Sequence, residues 1–377
     1  MRIALNGWPL APGAQEHAPG QGLDLAAHAL LSILTELPGR APESEFTLIH
    51  PAGDLPRLPE GVRRVPVASG SSAWARIRFE HRTLPAALRR VGAQALWTTV
   101  PSAPLRSPAP VLVPADLSAG EPLGGSAGER LQRALARAGA AGATLQHIPQ
   151  DLPIQPTVGV EAVRLPPTVG TLFRPDPALG DAESLGRWEI VTPFVLTHNP
   201  PVTEIAALLA AWTWVAAGVG DSHALVILGL DRHRLHFARD LVSRLGLSDT
   251  VRLLPYVSLL DLPSLYRAAS VFLGAGRPEG HELRHALAVG LPIAAPASEM
   301  VASVVGPAGY LVRPGDERLL GAACLAMLVQ EDLAHALRQK ALARAEAYRG
   351  AAPLLRWLGV LEQAAGDPRH SRSVLPK

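Results

Sequence analysis

Lysine is nearly absent from this chain of 377 residues: of its 35 basic residues only Lys340 and Lys377 are lysine, and the other 33 are arginine. A mechanism that needs a lysine amine has almost nowhere to put it. Cysteine is scarcer still. The single one, Cys324, lies in the apolar run from Ala322 to Val329 and can form no internal disulfide, so it reads as an inert thiol in a helix core. Excess charge of one sign is also lacking. The 35 basic and 33 acidic residues leave a net charge of +2, too small a surplus for a nucleic-acid footprint. No apolar run reaches the roughly 18 residues of a membrane span, because Arg, Asp, Pro and Gly interrupt each one. The opening Met1-Arg2-Ile3-Ala4-Leu5-Asn6-Gly7 has too short an apolar stretch for a signal peptide. These absences point to a soluble, cytoplasmic protein with no transmembrane segment and no nucleic-acid partner. Glycine (34) and proline (36) are plentiful but aperiodic, which excludes collagen, and 48% hydrophobic content excludes wholesale disorder.

What is there is an alternation. Short apolar runs at Arg2–Leu5, Phe46–Ile49, Ala95–Thr98 and Val111–Val113 read as strands. So do Phe194–Leu196, Ala224–Leu228, Val251–Leu254, Val271–Leu273 and Ile293–Ala295. Most are continuous rather than alternating, as expected of strands buried on both faces of a parallel sheet. Helical spacing separates them: Ile205, Leu208, Leu209 and Trp212 in one stripe, Leu235, Ala238, Val242 and Leu245 in another. Leu84, Leu88 and Val91 form a third stripe, opposite Arg82, Arg89 and Arg90. Core packing is expected for Trp212 and Trp214, and a packed or surface role for His50. Strand–helix–strand alternation implies doubly wound α/β architecture. It weakens around residues 149–190, where prolines cluster, and this stretch reads as an inter-domain connection. Two facing Rossmann-like halves would place ligands beyond the carboxyl ends of the strands.

In the second half, Leu254-Pro255-Tyr256-Val257, Leu262-Pro263-Ser264-Leu265-Tyr266-Arg267-Ala268-Ala269 and Val271-Phe272-Leu273 are followed by Pro278-Glu279-Gly280. Ala286-Leu287-Ala288-Val289-Gly290-Leu291-Pro292-Ile293 and Gly309-Tyr310-Leu311-Val312-Arg313-Pro314-Gly315-Asp316 come next. The first half holds Met1–Asn6, Gly20-Gln21-Gly22, Asp116-Leu117-Ser118 and Phe173-Arg174-Pro175. This ordered set resembles the retaining GT-B glycosyltransferases of family 4 (glycosyl transferases group 1). The resemblance implies a GT-B fold, two facing Rossmann-like doubly wound domains with a cleft between them. It divides the chain into an acceptor-side domain at 1–180, a donor-side domain at 181–350, a C-terminal helix at 351–366 packing back on the first domain, and a disordered tail at 367–377. The implied reaction moves a sugar from a nucleotide-sugar donor to an acceptor hydroxyl, with retention, without metal or cofactor. Glu279 would contact the donor sugar as the catalytic candidate. His198, Gly229 and His285 would complete the donor side, and Gly20, Gly22 and Asp116 would shape the acceptor-side loop. Each also has a plainer reading: Gly20 and Gly22 as turn formers, and Glu279 as an acid at the positive end of the next helix.

The chain departs from the family's pattern where charge matters. Family members place an Arg and a Lys after the first strand of the second domain to hold the leaving diphosphate. The corresponding slots here are Val202 and Thr203, followed by Glu204. The second glutamate of the family's pair becomes His285, and the histidine before Asp116-Leu117 becomes Ala115. Neutral imidazole is a poor replacement for permanent cations. Two expectations follow: a glycosyltransferase with lost or altered activity, or a non-catalytic relative acting as a binding or assembly subunit with a protein partner or as a homo-oligomer. A distant third comes from His281-Glu282-Leu283-Arg284-His285, which spells the His-Glu-x-x-His of zinc metallohydrolases. The extended third-ligand pattern is missing, and the segment falls where the glycosyltransferase pattern places its glutamate motif, so no metal site is expected.

Overall fold

The computed structural model describes residues 1–11, 23–55, 58, 60–70, 72–115, 127–150, 159–254, 257–258, 260–274 and 280–367. Two parallel sheets organise them. The first has seven strands: β1 (Arg2–Asn6), β2 (Glu45–Pro51), β3 (Val62–Val67), β4 (Ala95–Trp97), β5 (Val111–Pro114), β6 (Leu145–Pro149) and β7 (Glu161–Leu165). Their spatial order is β3-β2-β1-β4-β5-β6-β7. The second has six: β8 (Phe194–His198), β9 (Ala224–Leu228), β10 (Val251–Leu254), β11 (Val271–Leu273), β12 (Ile293–Pro296) and β13 (Gly309–Val312), in the order β10-β9-β8-β11-β12-β13. In each sheet the chain starts at the centre, winds to one edge, then crosses to the other side. The switch points lie between β1 and β4 and between β8 and β11, where doubly wound sheets open a ligand crevice.

All nine strands read from apolar runs are present. Four others were not evident from the sequence: β3, β6, β7 and β13. Three of these are edge strands, where one side lacks a neighbour and apolar continuity is not needed. β3 exposes Arg63, Arg64 and Pro66 and buries Val65 and Val67, as an edge permits. The proline-rich stretch around residues 149–190 is therefore not a plain connector, since β7 lies within it.

The helices are α1 (Leu23–Glu36), α2 (Ala73–Arg78), α3 (Leu84–Val91), α4 (Ala127–Ala141), α5 (Asp181–Arg187), α6 (Val202–Val219) and α7 (Arg232–Arg244). They continue with α8 (Leu262–Ala268), α9 (His281–Val289), α10 (Glu299–Val305), α11 (Glu317–Val329), α12 (Glu331–Ala345) and α13 (Ala351–Gly366). Each sheet is covered on both faces. The Ile205, Leu208, Leu209, Trp212 stripe of α6 is fully buried against one face of the second sheet, together with Cys324 of α11. By length and composition α6 could cross a membrane, but here it is a core helix of the second sheet. Burial pushes the Cys324 thiol up to about 12, which keeps it protonated and unreactive. Two expectations fail at helix ends and faces. Leu245 caps α7 and is exposed, and Trp214 is half-exposed on α6 with the Arg318 guanidinium 5.1 Å over its ring. His50 is packed, its Nδ1 2.8 Å from the Pro51 carbonyl oxygen.

The last helix returns to the first sheet. Leu354, Trp357, Leu358 and Leu361 of α13 join the core built by α1, β1 and β4. Trp357 donates its indole N–H to Pro166 O at 2.9 Å and packs on Trp97 and His147, with ring centroids 5.3 and 3.7 Å away. Burial of such side chains is worth about 1.5–3 kcal/mol each, so the return is a substantial tie. A second tie joins the start of α5 to α8. Asp181 is ion-paired to Arg267 and accepts from Ser264 Oγ at 2.7 Å, and the guanidinium holds its carboxyl down at about 2.

Candidate functional site

The carboxyl end of β8 is built around a sharp turn. Asn199 follows His198 with φ 53°, a left-handed conformation that asparagine tolerates better than most residues. Pro200 and Pro201 follow, and α6 begins at Val202 with Pro201 as an N-cap that offers no side-chain hydrogen bond. The positive end of an 18-residue helix thus opens next to the switch point. Its first turn presents Val202, Thr203 and Glu204, so the only formal charge there is negative.

The neighbouring loop, after β9, turns at Gly229 with φ 74°. A Cβ there would lie 3.2 Å from the His198 ring, so the glycine lets the imidazole seat against the backbone. Asp231 then caps α7, accepting from the Arg234 N–H at 2.9 Å. Arg234 ties the two loops together. The residue is buried, and its guanidinium donates to Asn199 Oδ1 (2.9 Å), Pro200 O (2.8 Å), Gly229 O (3.0 Å) and Asp231 Oδ2 (3.0 Å). Four of its five N–H donors are directed into the loops themselves.

His198 is buried at the end of β8 and its Nδ1 is 2.8 Å from the Tyr266 hydroxyl of α8. Tyr266 leads on to His285 of α9, ring centroids 5.9 Å apart and nearly perpendicular. His285 is stacked on Phe173 at 3.7 Å with the rings within 6° of parallel. Phe173 in turn meets His28 of α1 edge-on at 4.8 Å. A column of rings therefore runs from the first sheet's helix layer into the second sheet's carboxyl edge. Burial drives the His285 pKa well below its usual value, helped by neighbouring His28, His281, His198 and Arg284, so the ring is neutral at ordinary pH. Its Nδ1 has no hydrogen-bond partner among the described residues.

Three of the donor-side candidates, His198, Gly229 and His285, are thus brought together, His285 through Tyr266. Glu279, Gly20, Gly22 and Asp116 lie outside the described residues. Ala115 follows β5, with its N–H donating to the His147 carbonyl at 2.8 Å. In the His-Glu-x-x-His segment, Glu282 is buried and accepts from Asn199 Nδ2 at 3.4 Å, while His285 faces Phe173. Among the described residues no three His, Cys, Asp or Glu side chains are arranged to hold a metal ion. Sequence reasoning missed Arg234, Asn199 and His28. The Asp231-x-x-Arg234 spacing at a helix start was the available signal for the clamp.

The arrangement offers hydrogen bonds from neutral groups, a helix N-terminus and two buried cations, Arg234, whose donors go to the loops, and Arg284 of α9 beside His285. Residues 191–330 match the family model described as glycosyl transferases group 1. The whole chain has the GT-B fold. It resembles sucrose-phosphate synthase from Thermosynechococcus elongatus at a TM-score of 0.66 and 16% identity, covering 96% of this chain and 98% of that one. It also resembles WaaG, a glycosyltransferase involved in lipopolysaccharide biosynthesis (TM-score 0.61, 15% identity, 96% and 99% covered). Anabaena HepE, solved in complex with UDP-glucose, is similar at a TM-score of 0.61 and 13% identity, with 97% and 100% covered. Comparison of the sequence with curated proteins gives no match.

Proposed function

We propose that this GT-B protein descends from a sugar transferase whose transfer from a nucleotide-sugar to an acceptor hydroxyl has been lost or strongly altered. In this reading it serves in the cytoplasm as a binding or assembly subunit, with another protein or a second copy as partner. The first domain ends near residue 180, and the cleft faces the carboxyl ends of β1 and β8. The observation that carries the reading is the first turn of α6. Negative charge grows on a leaving diphosphate, and this turn meets it with Val202, Thr203 and Glu204. Arg234, a buried cation behind the loop, has its donors directed to Asn199, Pro200, Gly229 and Asp231. Loss of two charge-assisted contacts costs several kcal/mol, at about 1.5–3 kcal/mol for each hydrogen bond to a charged group.

A second reading keeps catalysis. The α6 N-terminus and the fixed charge of Arg234 give the loops some positive potential, and His198 or His285 could hydrogen-bond sugar or ribose hydroxyls. Glu279 remains its catalytic candidate. The HepE complex makes a uridine-diphosphate sugar the first donor to try under this reading.

Calorimetry with UDP, GDP and ADP, paired with an assay for UDP-glucose turnover, separates the two. The proposal expects no micromolar binding by the native chain and a gain of nucleotide binding in Val202→Arg/Thr203→Lys. Micromolar binding with sugar release or transfer by the native protein would overturn it.

A further inference from the structure

The outer surface of α6 and α11 is nearly free of charge. α6 has one charged residue in 18, Glu204, and α11 has only Glu317 and Arg318 in 13. The side of α6 turned to the sheet buries Ile205, Leu208, Leu209, Ala211, Trp212 and Val215. The opposite side leaves Thr203, Ala206, Ala210, Thr213, Trp214 and Ala217 exposed or half-buried. α11 adds Leu319, Ala322 and Val329, all exposed. The two helices approach closely because Gly321 has no Cβ: one would sit 2.6 Å from Ala211 O and 2.9 Å from Trp214 Cβ. They therefore form one continuous ledge on the outside of the second sheet.

A solvated helix carries charged and polar residues on its outer side. This ledge has the composition of an interface core instead, depleted of charge and centred on an aromatic residue. Trp214 is 50% exposed and Val329 59%. The basic fringe of a helix that lies on lipid headgroups is missing, since Arg318 is the one basic side chain of the two helices. Two charges of opposite sign stand at the border of the ledge. Glu204 and Arg318 make no ion pair or side-chain hydrogen bond among the described residues. Arg318 lies over the Trp214 ring, and about 15 Å of helix separates Trp214 from Glu204, so the two charges do not meet within one chain.

We propose that a second copy of the chain docks on this ledge, in an isologous two-fold contact. The proposal rests on the assembly-subunit reading above and names its partner. A two-fold axis crossing α6 midway between Glu204 and Trp214 sets the two α6 helices antiparallel. It brings Glu204 of each copy to Arg318 of the other and lays each Trp214 on the small Ala206 of its mate. The patch thus complements itself in charge and in shape. Its size is sufficient: helices of 18 and 13 residues are about 27 and 20 Å long and lie about 10 Å apart, which offers roughly 500 Å² per copy. The pair buries about 1,000 Å², the lower end for a specific contact, and this sets the expected affinity in the micromolar range.

Sedimentation velocity of the full chain at micromolar concentrations tests this. The native protein is expected to be a dimer in reversible exchange with monomer. Trp214→Ala removes an aromatic anchor from both halves of the contact and should raise the dissociation constant at least about a hundredfold. Ala206→Glu places a charge in the opposing hollow and should do the same. Glu204→Arg or Arg318→Glu alone should weaken the dimer, and the two together should restore it. Leu179→Glu, at an exposed residue before α5 and outside the ledge, should dimerise as the native chain does. Circular dichroism of each variant confirms that folding is intact. The proposal falls if the native chain is monomeric throughout this range, whether or not it partitions onto phosphatidylcholine vesicles. It falls equally if folded Trp214→Ala and Ala206→Glu dimerise undiminished, or if the double reversal does not restore the dimer. Nucleotide calorimetry on the same samples keeps the two readings apart. A monomer that binds no UDP overturns the dimer alone, and a dimer that turns over UDP-glucose overturns only the loss of activity.

Discussion

Replacing Arg234 by methionine removes the clamp between the β8 and β9 loops while keeping an apolar stem of similar reach. Two backbone carbonyls, Pro200 O and Gly229 O, and the Asn199 side-chain oxygen would each lose a donor. A hydrogen bond from a charged donor is worth about 1.5–3 kcal/mol, a loss that buried Pro200 takes in full, whereas half-buried Asn199 and Gly229 regain bonds to water and lose about 0.5 kcal/mol each. The Asp231 carboxylate loses an ion pair as well. Because its side chain is 42% exposed, water compensates and that part adds at most about 1 kcal/mol. The total is about 3–4 kcal/mol. For a unit of 150–250 residues this lowers the melting temperature by about 10 °C. Arg234→Lys retains the charge but not the planar fork and should fall between, at about 2 kcal/mol. Arg244→Met is the internal control: its partner Asp240 is exposed like itself, and a surface pair of this kind contributes about 0.5 kcal/mol or less. Scanning calorimetry reads the stability. Hydrogen exchange at residues 199–204 and 229–232 reads whether the loops are what loosens. An Arg234→Met protein that melts within about 2 °C of the native chain, with unchanged exchange in both loops, would show that the clamp does not hold them.

Three further perturbations address the ring column and its setting. Phe173→Ala removes a buried side chain stacked on His285 and should cost about 3–5 kcal/mol in denaturant melts, with the largest exchange increase in α9. Gly229→Ala combines a left-handed φ of 74° with a Cβ 3.2 Å from the His198 ring and should cost about 1–2 kcal/mol by thermal melting; a cost near zero would mean the turn relaxes freely. Burial pushes His147 down to about 3 from its ordinary 6.5, so the unfolded chain takes up a proton there that the folded chain does not. Its contribution is complete above pH 6.5 and is lost as pH falls towards 3, at up to about 1.4 kcal/mol per unit. Urea melts at several pH values should show a shallower acid slope for His147→Gln, and equal slopes would refute the assignment.

The sequence made the fold legible because doubly wound sheets advertise their central strands. Val195, Leu196 and Ile227 are buried on both faces of the second sheet, and their continuous apolar runs are visible without any contact information. Edge strands carry no such mark: β3 is one-third arginine and β7 carries Glu161 and Arg164. The site was legible only where it was local. His198 and Gly229 were readable because each ends a strand. Arg234 could not be matched to the β8 loop from sequence, since its bonds to Asn199 and Pro200 span more than thirty positions. Nor could the stacking of His285 on Phe173, which depends on how the segment after β7 crosses the face of α9.

The missing cations and the clamp bear on one another. A turn that binds diphosphate must direct positive charge outward, toward the ligand. Here the loops after β8 and β9 direct the Arg234 guanidinium inward and use it on their own carbonyls. Adding Lys at position 203 would restore charge without disturbing those bonds, because Thr203 is exposed on α6 and takes no part in them. If nucleotide binding returned on that change alone, the loops would still hold the shape of a donor site, and charge would be the only thing lost. If it did not return, the inward-turned Arg234 would be the sign of a turn rebuilt for stability, and the docking of other molecules on this fold would have to be sought on its outer faces.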